Sequence, residues 1–515
     1  MSERAAFSSR WGLILAALGM AVGTGNVWRF PRVLSQNGGG TFLIPWAIFL
    51  FTWSIPLLMA EFALGRAAGR GPVGAFARIF GRNTAWRGGF VAFCTIAIMF
   101  YYSVVAGWTA RYVWLAVGSG FSDLGADGGL ALFTDFTHTS GPALAHLVSI
   151  GLACAVVAAG VTKGIERSAK LLVPTLFVVL IISLVRGVTL EGAGEGIRFL
   201  TTVDWARLGD YRLWLEALSQ SAWSTGAGWG LMIGYSVYAT NSMRAGRECV
   251  VTGVGNNLAS LLAAFAIIPA VFALAPMAGQ DPAQLVEQSG PGSTGLTFVW
   301  IPVLYQQMPW GGGALSILFF VALFFAALSS LIAMVELAVR TLLDLGWQRR
   351  RAVAAVFVGG FALGLPSAID LPFIEGHDGF AVFQNQDWVW GVGLIVSGAI
   401  TGWAVLRYGV SRFYAEFIAG PEGGSTGGFT AGLFRWSITL LIPVQAVGLL
   451  GWWFWQAWTW TEAPTNEPAR SIAERLGEWL DPSSLFSVGT CLAQWAVVLL
   501  VLRLVNRRLG RAADG

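Results

Sequence analysis

Charge is scarce in this chain. Only 12% of its 515 residues are Asp, Glu, Lys or Arg, against about 25% in ordinary globular domains. A cytoplasmic enzyme of this length needs far more charge to cover its surface, and so does a disordered scaffold. Both are excluded. Cysteine is scarce too. Cys94, Cys154, Cys249 and Cys491 fall in or beside apolar runs, as small core residues do, and not as a disulfide or metal set. His138, His146 and His377 are scattered, which argues against an imidazole metal centre. The chain has no N-x-Ser/Thr sequon, and its expected outer loops lack cysteine. Both absences fit a bacterial inner membrane better than an animal cell surface.

What is abundant is apolar. Hydrophobic residues make up 55% of the chain, with 25 Trp, 34 Phe and 66 Gly, and mean hydropathy is +0.65. This composition predicts an all-α polytopic membrane protein. Aromatics suit membrane interfaces, and small residues let membrane helices pack closely or break where function requires it. The net charge of +4 is small and carries no nucleic-acid signal. The first residues have the basic flank and apolar run of a signal peptide. The run continues into Gly23–Pro31 without a small-residue cleavage site, so it is read as the first membrane span.

Twelve apolar stretches are long enough to cross about 30 Å of hydrocarbon. They lie near 11–35, 40–65, 88–117, 143–161, 166–186, 214–239, 250–275, 314–344, 352–366, 384–407, 433–458 and 484–505. Residues 1–515 form a single membrane domain without a soluble one. The longest outward segments, about 118–142, 187–213 and 276–313, read as loops with short interfacial helices. Arginine clusters mark alternate loops: Arg66 to Arg87, Lys163 to Lys170, Arg244 and Arg247, Arg349 to Arg351, Arg407 and Arg412, and Arg503 to Arg511. No Lys or Arg occurs from Tyr112 to Thr162 or from Glu248 to Val339. The positive-inside rule then places both termini in the cytoplasm.

Two spans carry glycines where a helix should be strongest. Span 1 holds Gly19, Gly23 and Gly25 before Asn26. Span 6 holds Gly226, Gly228 and Gly230 after Gln220, Ser221, Ser224 and Thr225. Each glycine costs about 1 kcal/mol of helix propensity relative to Ala. Close helix packing is the ordinary role of a membrane glycine. Two such runs five spans apart, each with hydroxyl or amide neighbours, point instead to the interrupted helices of an inverted-repeat transporter. Unwinding frees carbonyls for a cation and leaves half-helix N-termini for an anion such as a carboxylate. Span 8 adds Ser329 and Ser330 after Ala326. These hydroxyls either bond back to the preceding turn or, as oxygen ligands, hold sodium. Glu61, Glu336 and Asp387 lie in or at the ends of spans, where acids are costly and usually functional. For Glu61 a buried bridge between broken backbones is the favoured reading. Gly164 and Pro174 in span 5 fit either an ordinary helix start or a segment that unwinds toward the inner side.

Three stretches now identify a family. Arg10–Ala16, Gly23–Pro31 (GTGNVWRFP) and Asn37–Pro45 (NGGGTFLIP) resemble the signature of the neurotransmitter:sodium symporters, solute carrier family 6. Glu61–Arg66, Lys163–Arg167 with Pro174, and the Ser329–Ser330 pair look like further family blocks, so the resemblance covers nearly the whole chain. It implies a five-plus-five inverted repeat with broken helices 1 and 6. The halves lie near 11–186 and 214–407, with extra helices near 433–505. It also implies sodium-driven uptake by alternating access and no enzyme chemistry. By resemblance, the first sodium site is Ala21, Asn26, Ser224 and Asn256, completed by the substrate carboxylate. The second is Gly19, Val22, Ala326, Ser329 and Ser330. The substrate would meet Ala21, Gly23, Gly25 and Tyr102 at its carboxylate end, with Ser224 close by. Thr24, Ile98, Trp223, Gly226, Trp229, Ser330 and Met334 would surround its side chain. Arg29 with Asp387 would form the outer gate, and Arg4 with Asp344 the inner gate, where Phe7 matches an aromatic plug.

Three departures refine this picture. Monoamine members carry an Asp at the position of Gly23, so a monoamine is disfavoured. Trp223 and Trp229 take up pocket volume, which favours a small substrate such as glycine or alanine; a methylated amine such as betaine, held by cation–π contact, is the alternative. Many bacterial members supply an acid in helix 7 that replaces chloride. Here the segment reads Asn256–Ser260 without an acid. Gln220, Ser224 and Ser260 would then donate to chloride, with the indole N–H of Trp46 in place of the family's tyrosine hydroxyl. The implied partners are a small zwitterion and membrane lipid, with no obligate protein partner. A non-transporting amino acid sensor of the same fold is a further alternative. Retention of both gate pairs argues against it.

Overall fold

A computed structural model of the chain describes residues 6–122, 124–125, 127–240, 243–287, 295–369, 381–419, 428–462 and 470–512. Among these residues every regular element is helical. Spans 2 to 5 are Gly40–Ala68, Arg82–Val117, Gly141–Ala158 and Val161–Val188. Spans 7 to 12 are Ala245–Leu274, Gly312–Asp344, Arg349–Ala368, Ala381–Tyr408, Thr430–Thr459 and Val488–Arg511. Span 1 is a bent pair, Arg10–Ala21 and Gly25–Gln36, with 52° between the pieces. Span 6 is divided into Tyr211–Ser224 and Leu231–Ser236, neither long enough to cross by itself. The twelve expected spans are therefore present, and the two with glycine runs are the two that break.

Short helices cap the bundle. Pro72–Phe80 follows span 2 on the face bearing the chain ends. Gly128–Thr137, Ala193–Thr201 and Ile472–Trp479 lie on the opposite face, within or beside the segments expected to be outward loops. One of those segments departs from the charge pattern. Arg198 and Arg207 lie between spans 5 and 6 and Arg212 at the start of span 6, interleaved with Glu195, Asp204 and Asp210. Span 8 runs along span 3 and also packs against spans 1 and 5, forming the centre of the bundle.

Span 5 does not break. A wide turn over Val161–Glu166 runs directly into Arg167–Val188, with Pro174 inside the helix. Gly164 has a packing reason: a Cβ there would lie 1.9 Å from the Val156 carbonyl oxygen at the end of span 4.

Span 6 breaks because three glycines adopt left-handed backbone. Gly226, Gly228 and Gly230 have φ of 69°, 87° and 74°, a region costly for residues with a Cβ. At Gly228 a Cβ would also lie 2.8 Å from Gly398 Cα, so the unwound strand touches span 10 backbone to backbone. Peptide groups freed at this depth need partners within the protein. Glu61, fully buried on span 2, supplies two. Its Oε1 accepts from the Gly230 N–H at 3.0 Å and its Oε2 from the Met232 N–H at 3.2 Å. Ser397 Oγ donates to the Gly228 carbonyl and Thr95 Oγ1 to the Trp229 carbonyl, both at 2.5 Å. Glu61 thus ties span 2 to the span 6 break alone; these bonds do not reach span 1, as a bridge between the two broken backbones would.

Replacing Glu61 with Ala leaves two buried N–H groups without acceptors. At about 1–3 kcal/mol each, the loss is expected to be roughly 2–6 kcal/mol. Thermal unfolding of purified Glu61→Ala should show a clear drop in Tm, with Glu61→Gln intermediate because it keeps one acceptor. Wild-type melting in Glu61→Ala would remove the bridge from the account.

Candidate functional site

The two breaks face each other across a cavity of about 440 Å³. Ala21, Gly23, Thr24 and Gly25 line it from span 1, Tyr102 from span 3, Trp223, Ser224, Gly226 and Trp229 from span 6, and Ser330 and Met334 from span 8. These are the residues expected to surround the substrate, with one exception. Ile98, one turn before Tyr102, is fully buried and is not part of the cavity wall. It sits on the same helix face as Tyr102, packed into the apolar core one turn from the cavity wall.

The polar floor of the cavity is tightly drawn together. The Tyr102 hydroxyl accepts from the Thr24 N–H and lies 3.2 Å from both Thr24 N and Thr24 Oγ1. A Cβ on Gly23 would lie 2.7 Å from Ser330 Oγ and 2.9 Å from Tyr102 Oη. Gly23 is thus required by close approach, with no room for the carboxylate that some family members place there. Gly25 has open space around it.

Beside this floor lies a knot of amides and hydroxyls. Asn26 Oδ1 accepts from the Gly23 N–H at 3.0 Å, while Asn26 Nδ2 donates to Asn256 Oδ1 at 2.9 Å and to Ser260 Oγ at 2.8 Å. Asn256 Nδ2 donates to Ser224 Oγ at 2.9 Å. The Asn256 amide oxygen sits 3.1 Å from the Ala21 carbonyl oxygen and 3.0 Å from that of Ser224. Oxygens this close repel unless the amide turns its NH₂ inward or a cation lies among them. Ala21, Asn26, Ser224 and Asn256 therefore converge, with the donor chemistry a hard cation takes.

The second expected group is drawn together between spans 1 and 8. Ser330 Oγ donates toward the Gly19 and Met20 carbonyls at 3.2 Å, and Ser329 Oγ donates to the Ala326 carbonyl at 3.0 Å. A Cβ on Gly19 would meet Ser329 Cβ at 3.1 Å. Val22 caps the first helix with its N–H on the Leu18 carbonyl at 2.6 Å and opens the break.

The four residues expected to donate to an anion differ in their partners. Trp46 Nε1 and both polar atoms of Gln220 are buried without partners. The oxygens of Ser224 and Ser260 accept from amide groups, which leaves each hydroxyl proton free to donate elsewhere.

The two ends of the path differ. Arg29 and Asp387 both line the cavity but form no ion pair within contact distance of each other. Arg29 instead stacks over Trp223, 5.1 Å from the ring centroid, with its Nη2 3.5 Å from Ser219 Oγ. Trp460 and Phe486 line the cavity's mouth on the face opposite the chain ends. On the other face the structure is closed. Phe7 meets Tyr235 and Tyr238 edge-on at 6.0 and 6.4 Å. Arg349 clamps Glu336 at 2.9 Å and bonds the Tyr238 hydroxyl at 3.0 Å. Arg4 lies outside the described residues, and Asp344 accepts from Arg340 at 2.6 Å and from the Gly71 N–H at 2.6 Å. Glu336 and Arg349 are the inner-side pair that the gate assignment missed. A buried acid followed thirteen residues later by a basic cluster was its only sequence signal. The aromatic residues of the mouth, such as Trp388, Trp453 and Phe486, were missed because nothing distinguishes them from lipid-facing aromatics.

Comparison with known proteins agrees with this geometry. The sequence profile described as the sodium:neurotransmitter symporter family matches residues 4–122 and 128–456. The uncharacterized sodium-dependent transporter YhdH of Bacillus subtilis is 31% identical over 457 residues, covering 86% of this chain and 97% of that protein. The sodium-dependent serotonin transporter of Drosophila melanogaster is 30% identical over 460 residues, covering 79% and 71%. Among solved structures, MhsT in complex with L-phenylalanine superposes with a TM-score of 0.75 at 30% identity, covering 87% of this chain and 99% of that one. A transporter fold with two interrupted helices facing one cavity, a matching profile along most of the chain and relatives of this extent together make the protein a sodium-dependent member of the sodium:neurotransmitter symporter family.

Proposed function

We propose that this symporter moves a small zwitterionic amino acid, of the glycine or alanine class, together with sodium by alternating access. The observation that carries the reading is the pair of indoles at the side-chain end of the cavity. Trp223 and Trp229 stand edge to face, 5.7 Å between centroids, and both form part of the cavity wall beside Gly226. The substrate carboxylate would sit at Gly23 to Gly25 beside the Tyr102 hydroxyl. One sodium would take the Ala21, Asn26, Ser224 and Asn256 oxygens with that carboxylate. A second would take Gly19, Val22, Ala326, Ser329 and Ser330. Chloride would accept from Trp46, Gln220, Ser224 and Ser260. This is supported by the partnerless donors of Trp46 and Gln220 and by the lack of an acid in Asn256–Ser260. The human taurine transporter, 28% identical, is described as sodium- and chloride-dependent.

Two competing substrates follow from specific observations. MhsT was solved with L-phenylalanine, which makes an aromatic amino acid the first competitor. Betaine would rely on Trp229, because the Arg29 guanidinium already lies over Trp223. The basic loops support an orientation with both termini in the cytoplasm. Bacterial relatives and the absence of sequons support an inner-membrane location.

In proteoliposomes with an inward sodium gradient, radiolabelled glycine uptake is expected to be suppressed by alanine and little affected by leucine, phenylalanine or tryptophan. Stronger competition by the large side chains rejects the small-substrate reading, competition by betaine alone selects the methylated amine, and absence of counterflow reduces the protein to a sensor. Gly23→Ala is expected to weaken substrate affinity roughly 10- to 100-fold, the effect of about 1–3 kcal/mol of overpacking, read by substrate-dependent thermal shift in sodium. Replacing chloride with gluconate is expected to slow uptake. Trp46→Phe, lacking the N–H donor, should lose the chloride response while keeping the sodium response. Equal uptake in the two salts argues against an anion site.

A further inference from the structure

On the face bearing the chain ends, spans 3, 10 and 12 meet well away from the central cavity. Span 12 sits directly on span 3, where a Cβ on Gly89 would lie 2.8 Å from Leu502 Cδ2. The Trp86 backbone N–H donates to Asn506 Oδ1 at 2.9 Å. Each of these three spans places an arginine at this seam: Arg87, Arg407 and Arg503. The Arg87 guanidinium lies 4.0 Å from the Trp403 ring centroid and 5.0 Å from that of Trp86. Arg503 lies 3.9 Å from the Trp86 centroid. Arg407 and Arg503 are both within Coulombic reach of Arg87.

Three like charges gathered this closely repel one another. Among the described residues, none of the three arginines forms an ion pair with a carboxylate. Glu416, on the segment following span 10, is taken by the Tyr408 hydroxyl at 2.8 Å and Arg412 at 3.5 Å. The indole faces hold Arg87 and Arg503 in place without using the guanidinium's edge, where its five N–H donors point. Trp403 is 37% exposed, and Arg407 and Arg503 are exposed. The seam thus presents a fixed, uncompensated positive surface beside an indole on the outside of the bundle, at a membrane-facing helix end. Indoles settle at headgroup depth, and basic clefts between membrane helices match anionic headgroups.

We propose that the seam of spans 3, 10 and 12 binds the phosphate headgroup of an anionic phospholipid, with Arg87, Arg407 and Arg503 donating to the phosphodiester oxygens and Trp403 lying along the glycerol and upper acyl chain. The contact is structural and regulatory in kind, since spans 3 and 10 also line the substrate cavity through Tyr102 and Asp387.

The full-length protein in detergent is titrated separately with phosphatidylglycerol, phosphatidylcholine and inorganic phosphate, with bound lipid counted by native mass spectrometry and melting followed in parallel. Phosphatidylglycerol is expected to bind and raise the Tm, while phosphatidylcholine and inorganic phosphate at matched phosphate do not. The double variant Arg87→Gln/Arg503→Gln is expected to bind phosphatidylglycerol about 30-fold more weakly, and Arg407→Gln, an exposed single change that leaves the packing intact, about 5-fold more weakly. Arg212→Gln on the opposite face should bind as the wild type does. Unchanged phosphatidylglycerol affinity in Arg407→Gln overturns the proposal even if the double variant fails to fold. Stabilisation by inorganic phosphate alone shows a free-anion site and overturns the lipid assignment.

Discussion

A helix can be interrupted inside a membrane only if the protein itself takes over the hydrogen bonds that the helix gives up. The rest of this structure depends on that substitution. Glu61 carries half of it at span 6, with Ser397 and Thr95 taking one carbonyl each. A carboxylate has two oxygens and ample acceptor capacity, and here each oxygen receives a backbone N–H from the restarted half of span 6. The N-terminus of that half-helix also supplies a favourable dipole for a buried anion. Span 2, which holds Glu61, therefore acts as a splint for span 6. Span 10 completes it through Ser397 and the backbone contact at Gly228.

The asymmetry between the two faces follows from how charged groups are distributed about this splint. Toward the chain ends, every acid near the path is matched: Glu336 by Arg349, Asp344 by Arg340, and Glu248 by Arg10. Toward the opposite face, Arg29 and Asp387 share a cavity without meeting, and Arg29 rests on an indole. A cation–π contact is weaker than a well-aligned charge-assisted pair. The open side is thus held by an interaction that can be exchanged for a stronger one, while the closed side is locked by several strong ones. An arrangement biased in this way admits solute from one face only.

Much of this was readable from residue order. The twelve spans followed from apolar run length, and both breaks from glycine runs that no helix-packing need explained equally well in two places. Glu61 was readable because an acid in a span demands a partner. Other features were not. Span 5 has the glycine and proline of a break but remains helical, since Gly164 serves contact with span 4 and Pro174 is tolerated within the helix. Ile98 shares a face of span 3 with Tyr102, yet of the two only Tyr102 reaches the cavity, and one-dimensional spacing does not fix how deep a cavity extends. The inner clamp of Glu336 with Arg349 joins two spans through a turn, so its pairing appears only in three dimensions.

The distribution of unmet hydrogen bonds then separates structure from function within the same few residues. From Gly228 to Met232 the unwound backbone is paired by Ser397, Thr95 and Glu61, while the Trp229 indole N–H is buried without a partner. Just before it, the Ala21 and Ser224 carbonyls converge on the Asn256 amide, whose NH₂, turned inward, donates to both. Gln220 and Trp46 hold buried polar atoms with no partner. A folded protein keeps such atoms unpaired at a cost of about 1–3 kcal/mol each. Of the groups left without partners, the Gln220 amide and the Trp229 indole N–H both face the cavity, one from each side of the span 6 break.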